Sequence, residues 1–136
     1  MSPSVPHLRV LVVEDENLIR WSIAQTLAHE GHTVLEAADA RSAVQTLTDT
    51  HDPIDVVLLD YRLPDSNDLR LLARVRELRP DSAVVMMTAF GAPEVTKGAL
   101  DLGAYRIVNK PFDMHMLEAL ILEAHSSRLT SQPDVN

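Results

Sequence analysis

Two spacings of apolar residues alternate along the chain, and together they predict five strands and five helices. Leu8–Val13 is a β-branched apolar run of strand length. Glu16–Glu30 carries Ile19, Ile23 and Leu27 at helical spacing, and Gly31 stops it. His32–Glu36 predicts a short second strand, and Asp39 predicts a cap for a helix through about Thr48. Asp55–Leu59 and Ala83–Met87 are strongly apolar strand candidates. Between them Leu69–Arg79 places Leu72, Val75 and Leu78 on one helical face, with Pro80 just beyond. Pro93–Leu102 predicts a short helix with Gly103 at its end. Tyr105–Val108 is the last strand, and Phe112–His125 the last helix, with Leu117, Leu120, Ile121 and Ala124 inward.

Strands and helices alternating at this spacing mean βαβ units, right-handed crossovers and a parallel sheet. Apart from Arg9 and Asp55 at their starts, the first, third and fourth strands are apolar throughout, which suits strands covered by helices on both faces. The shorter, more polar second and fifth suit the edges. The expected fold is therefore α/β, with a five-stranded parallel sheet in the order 2-1-3-4-5. Residues 8–125 form the expected domain. Met1–His7, with two prolines, reads as a loose leader, and Ser126–Asn136 as a frayed tail or the start of a linker.

Composition narrows the options. The 136 residues amount to one ordinary domain, and 46% of them are hydrophobic, enough for a real core. The absence of cysteine removes disulfide scaffolds, thiolate zinc sites and thiol catalysis. A net charge of −8 argues against nucleic acid or an anionic membrane as this domain's partner. No apolar stretch nears the roughly 20 residues that span a bilayer. Arg9 is followed by only Val10–Val13 before acid begins, which is not a signal peptide. A cytoplasmic domain is the expectation.

Open α/β sheets bind ligands beyond the carboxyl ends of their strands, where the strand order reverses. Glu14, Asp15 and Glu16 follow the first strand, and Asp60 ends the third. Adjacent strands lie about 4.8 Å apart, so Asp15 falls beside Asp60, with Glu14 close by. Carboxylates this near repel unless a cation or a proton intervenes, and Mg²⁺ suits a few carboxylates with retained waters. Thr88, at the end of the fourth strand, offers a hydroxyl. Lys110, after the fifth, stands two strands from Asp60, roughly 10 Å away by the same spacing, a gap its side chain can bridge. These groups suggest phosphoryl transfer, with Asp60 best placed as the nucleophile. Each residue also has a plainer reading. Asp15 or Glu16 can cap the first helix, Asp60 can form a turn, Thr88 can be a loop hydroxyl, and Lys110 a solvated surface residue. The six histidines are scattered. Only His29 and His32 are close, with Gly31 between them, and the expectation is surface placement.

The segments Val13-Glu14-Asp15-Glu16, Leu58-Leu59-Asp60-Tyr61-Arg62-Leu63-Pro64, Met87-Thr88-Ala89-Phe90 and Asn109-Lys110-Pro111-Phe112 resemble the receiver domain of bacterial two-component response regulators. The resemblance runs from about Leu8 to His125. It implies a flavodoxin/CheY-like (βα)5 three-layer sandwich. It further implies that Asp60 accepts a phosphoryl group from a sensor histidine kinase. Glu14, Asp15, Asp60 and the main-chain carbonyl of Arg62 would hold Mg²⁺. Lys110 would pair with a phosphoryl oxygen, Thr88 would move to bind another, and Tyr105 would swing inward behind it. The Lys110–Pro111 bond would be cis. Ile19-Arg20-Trp21, Thr88-Ala89-Phe90-Gly91 and Leu102-Gly103-Ala104-Tyr105 look like the NtrC-type activators of sigma-54 transcription.

The implied role is signalling rather than enzymatic. Phosphorylation would switch the face formed by the fourth helix, fifth strand and fifth helix, driving homodimerisation or controlling a downstream output domain. One departure stands out. The family usually has glycines in the loop after the third strand, where Asp65 and Asp68 stand here. Aspartate tolerates left-handed backbone, and two more charges near the site would bear on Mg²⁺ affinity and kinase recognition. The competing readings are a partner-binding module that works without phosphorylation and a haloacid-dehalogenase-type phosphohydrolase. The latter wants a second aspartate where Arg62 stands, and a cap for which there is no room.

Overall fold

The three uniformly apolar runs become the middle of the sheet. In the computed structural model, which describes residues 6–89 and 91–130, β1 is Arg9–Val13, β3 is Val56–Asp60 and β4 is Ala83–Thr88. The edges are β2, Thr33–Ala37, and β5, Arg106–Asn109, both only partly covered. All pairs are parallel and the order is β2-β1-β3-β4-β5, as the alternation predicts. The helices are α1, Asn17–His29; α2, Ala40–Asp49; α3, Arg70–Leu78; α4, Pro93–Asp101; and α5, Leu117–Thr130. A single 3₁₀ turn, Met114–Met116, precedes α5.

The central strands are buried on both faces because successive side chains point to opposite sides. Leu11, Val13, Val57, Leu59, Val84 and Met86 pack under α2, α3 and α4. Val10, Val12, Val56, Leu58, Val85 and Met87 pack under α1 and α5, against Ile23, Leu27, Leu117 and Ile121. Two one-sided helix layers on a two-sided sheet thus bury nearly all the surface of the three central strands. The carboxyl ends of the strands remain open beyond these layers.

Asp39 caps α2 as expected, accepting the Ser42 backbone N–H at 2.8 Å. The hydroxyl and N–H of Ser42 hold this half-buried carboxyl below its ordinary range. The C-terminal boundary departs from the sequence reading. Ser126–Thr130 are not tail but the last turn of α5. Ser127 donates to the Ala124 carbonyl at 2.7 Å, and Arg128 donates to the Pro80 carbonyl. At the other end, Nε2 of His7 lies 2.7 Å from Oγ1 of Thr33, so the leader is attached there. Residues 1–5, Phe90 and residues 131–136 lie outside the described residues. His32 is also not on the surface. It is 5% exposed, its Nδ1 accepts the Leu8 N–H at 3.0 Å, and its Nε2 lies 2.9 Å from Oε2 of Glu118. The Leu8 bond requires a bare Nδ1, so Nε2 carries the proton and donates to Glu118.

Gly31 and Gly103 end α1 and α4 with φ of 95° and 102°. A Cβ at Gly31 would meet nothing within 4 Å, whereas one at Gly103 would stand 2.8 Å from Nε of Arg76. That guanidinium is not free to yield, because its Nη1 donates to the carbonyls of Pro80 and Ser82. Gly31→Ala is expected to cost about 1 kcal/mol for the backbone alone, and Gly103→Ala distinctly more. Equal losses in urea denaturation would contradict the Arg76 contact.

Candidate functional site

The site forms because β1, β3, β4 and β5 all lead into polar residues at the same end of the sheet. Glu14 leaves β1 with its N–H bonded to the Ala37 carbonyl at 3.0 Å, so its side chain stays buried at 0% exposure. Asp60 is the last residue of β3, paired with Met87, and is 6% exposed. Asp15 is exposed at the mouth. Carboxylate oxygens of Glu14, Asp15 and Asp60 all lie within 4.8 Å of one another, as the neighbouring strands predicted.

Lys110 reaches them from the far edge. Its Nζ donates to Oε1 of Glu14 at 2.5 Å and to Oδ2 of Asp60 at 2.9 Å. Its backbone N–H is bonded to the Thr88 carbonyl at 2.8 Å, and the Lys110–Pro111 bond is cis. The second oxygens of Glu14 and Asp60 have partners too. Oε2 of Glu14 accepts the Glu16 N–H at 3.0 Å, and Oδ1 of Asp60 accepts the Arg62 N–H at 3.3 Å. Burial by itself would lower the Lys110 pKa. The hydrogen bonds and charges of Glu14 and Asp60 outweigh it and raise the pKa above the ordinary lysine value of 10.5. The ammonium is therefore charged throughout the neutral range.

Three carboxylates against one ammonium leave a formal charge of −2 on hard oxygen donors. That donor set fits a divalent cation such as Mg²⁺, with Asp15 on the solvent side to share it with water. The plainer readings of the acids fail here. Glu16 occupies the position before α1 but makes no side-chain cap, and Asp60 is more than a turn former, because it also pairs with Lys110.

The other sequence candidates fall around this group. Thr88 ends β4 beside Asn109 and is 2% exposed. Tyr105 is half-buried against the α1–α5 core, with the Arg106 guanidinium 5.5 Å above its ring. Ala89 and Lys110 line a cavity of about 480 Å³ with Glu16, Ile19, Pro111 and Phe112. Trp21 stands 57% exposed on α1, so it is not core packing.

Asp65 and Asp68 do not load the acidic group. Asp65 turns towards α2 and accepts the N–H groups of Ala40 and Arg41 at 2.8 and 3.0 Å. Asp68 accepts the Arg70 N–H at 2.9 Å. Neither needs left-handed backbone, since positive φ among the described residues occurs only at glycine. Asp65 therefore caps a helix 25 residues earlier in the chain. Asp65→Ala is expected to lower stability by about 1 kcal/mol, and an unchanged urea midpoint would contradict that role. Arg20 enters the sequence reading only in the Ile19-Arg20-Trp21 resemblance, with no role at the site. Arg20 of α1 donates from Nη1 to the Glu14 carbonyl at 2.8 Å.

Fold and site together define a doubly wound α/β domain with an acidic, cation-seeking group at the strand ends. The chain belongs to the response regulator receiver domain family, whose model matches residues 10–122. Receiver domains serve two-component systems, and phosphorylation and Mg²⁺ are features of that family. The transcriptional regulatory protein TcrA of Mycobacterium tuberculosis is 41% identical over 115 residues, covering 85% of this chain and 45% of that protein. The DNA-binding transcriptional regulator NtrC of Azospirillum brasilense is 30% identical over 118 residues, covering 87% of this chain and 24% of that protein. The chain thus spans less than half of either relative. The beryllofluoride-activated NtrC4 receiver domain dimer superimposes with a TM-score of 0.80 at 31% identity, covering 88% of this chain and 98% of that one. No helix among the described residues is long and apolar enough to cross a membrane.

Proposed function

We propose that this chain is the phosphorylated receiver of a two-component regulator, with Asp60 as phosphoacceptor. The observation that carries the reading is the convergence of Lys110 on Asp60 and Glu14, with Asp15 alongside. Asp60 attacks the phosphorus of a phosphohistidine on a sensor kinase. One P–O bond forms and the P–N bond to the imidazole breaks, giving an aspartyl phosphate. Glu14, Asp15, Asp60 and the Arg62 carbonyl would hold Mg²⁺, which would offset the charge of the transferring group. Lys110 stays charged and moves from Asp60 to a phosphoryl oxygen, still anchored by Glu14. The Thr88 hydroxyl takes a second oxygen.

Movement of Thr88 leaves room behind it that Tyr105 fills, and this repacking alters the face made by α4, β5 and α5. Phosphorylation biases a two-state equilibrium of that face. The NtrC4 dimer supports homodimerisation, which we place on this face, and the longer relatives support control of a transcriptional output domain. The receiver unit runs from Leu8 through α5, and its compartment is the cytoplasm. The test is to incubate the protein with acetyl phosphate and Mg²⁺ and weigh it intact. The expected result is one added phosphoryl group, dependent on Mg²⁺. No adduct would instead favour a partner-binding module that works without phosphorylation.

A further inference from the structure

Arg20 lies in the first turn of α1, its N–H bonded to the Glu16 carbonyl at 2.9 Å. From there its side chain folds back over the segment joining β1 to α1. The guanidinium spends each of its three nitrogens on a different residue. Nη1 donates to the Glu14 carbonyl at 2.8 Å, Nη2 to Oδ1 of Asn17 at 2.8 Å, and Nε to Oε1 of Glu36 at 3.2 Å. Glu36 is on the edge strand β2, opposite Val12. The side chain is only 17% exposed. A planar, rigid fork of donors suits this triple anchorage in a way that an ammonium does not.

The bond to Glu14 matters because of which peptide it holds. The Glu14 carbonyl belongs to the peptide plane between Glu14 and Asp15. On the other side of Glu14, its N–H is held by the Ala37 carbonyl at 3.0 Å. Glu14 is thus fixed at both backbone groups and at both carboxylate oxygens. Asp15 is exposed, so its carboxylate direction depends chiefly on the peptide from which it hangs. We propose that Arg20 is a positioning residue for the metal group: by pinning the Glu14–Asp15 peptide to α1 and β2, it holds both carboxylates where they converge with Asp60. This rests on reading that group as a Mg²⁺ site.

Electrostatics and positioning predict opposite signs. Removing a guanidinium from beside a cation site favours cation binding by charge alone. Loss of the groups that orient metal ligands weakens binding, typically at least about tenfold. The experiment is a calorimetric titration of the full chain with Mg²⁺, comparing wild type, Arg20→Met and Arg20→Lys, with circular dichroism to show each is folded. Arg20→Met is expected to bind Mg²⁺ about tenfold more weakly despite the lost positive charge. Arg20→Lys keeps the charge and stem and is the arm that decides if Arg20→Met does not fold. It is expected to bind more weakly than wild type, because one ammonium cannot replace the fork. Unchanged or tighter binding in either variant would overturn the inference. Wild type that binds no Mg²⁺ would overturn the metal reading, and the inference with it.

Discussion

Asp60→Asn is expected to leave a folded protein that accepts no phosphoryl group. The substitution keeps the shape of the side chain at the end of β3 and removes its charge. An amide oxygen is a poor nucleophile because its lone pairs are delocalised into the C–N bond. The formal charge of the acidic group also falls from −2 to −1, which weakens its hold on a divalent cation. Lys110 keeps its 2.5 Å bond to Glu14, so the interior is not left with an unpaired ammonium. Intact mass after treatment with acetyl phosphate and Mg²⁺ checks this. An adduct that persists in the variant would place the acceptor elsewhere.

Lys110→Met is the second large effect, and it falls on stability. The Glu14 carboxylate has no exposure, and among the described residues Lys110 is the only cation bonded to it. Removing one partner of a buried pair leaves an uncompensated charge and costs about 3 kcal/mol. Repulsion from Asp60 adds to that. At neutral pH without divalent metal, the melting temperature should fall by roughly 10 °C. Millimolar Mg²⁺ should recover part of the loss, because a ligand that binds only the folded state stabilises it. A melt insensitive to the substitution, or a loss that Mg²⁺ does not reduce, would contradict the account. The pH dependence in the wild-type protein has a definite sign. The Lys110 pKa is raised by folding, so the stabilisation from this pair is complete below the unfolded value of about 10.5. It is lost as pH rises through the higher folded value.

The sheet order was legible because β1, β3 and β4 are apolar at both parities, a pattern that only a doubly covered strand tolerates. The acids and Lys110 were legible because strand ends of a parallel sheet collect at one edge. Arg20, Asp65 and His32 were not. Each acts through hydrogen bonds to groups that the fold, not the sequence order, brings near: the Glu14 carbonyl, the first N–H groups of α2, the Leu8 N–H. A histidine beside a helix-ending glycine looks solvated until both ring nitrogens are seen to have partners. The end of α5 misled for a related reason. Ser126, Ser127 and Arg128 are polar enough to suggest fraying, yet Arg128 finds the Pro80 carbonyl and the turn holds.

Lys110 also makes the sheet mechanically uneven. It extends from the end of an edge strand across to acids on β1 and β3, so one side chain works as a stay between the rim of the sheet and its middle. The middle strands are locked by neighbours on every side. β5 has one neighbouring strand, and none of its four residues is fully buried. A change in the load on that stay therefore displaces the rim long before it bends the middle. The buried acids at the middle of the sheet are thereby tied, through one side chain, to the strand that has no fully buried residue.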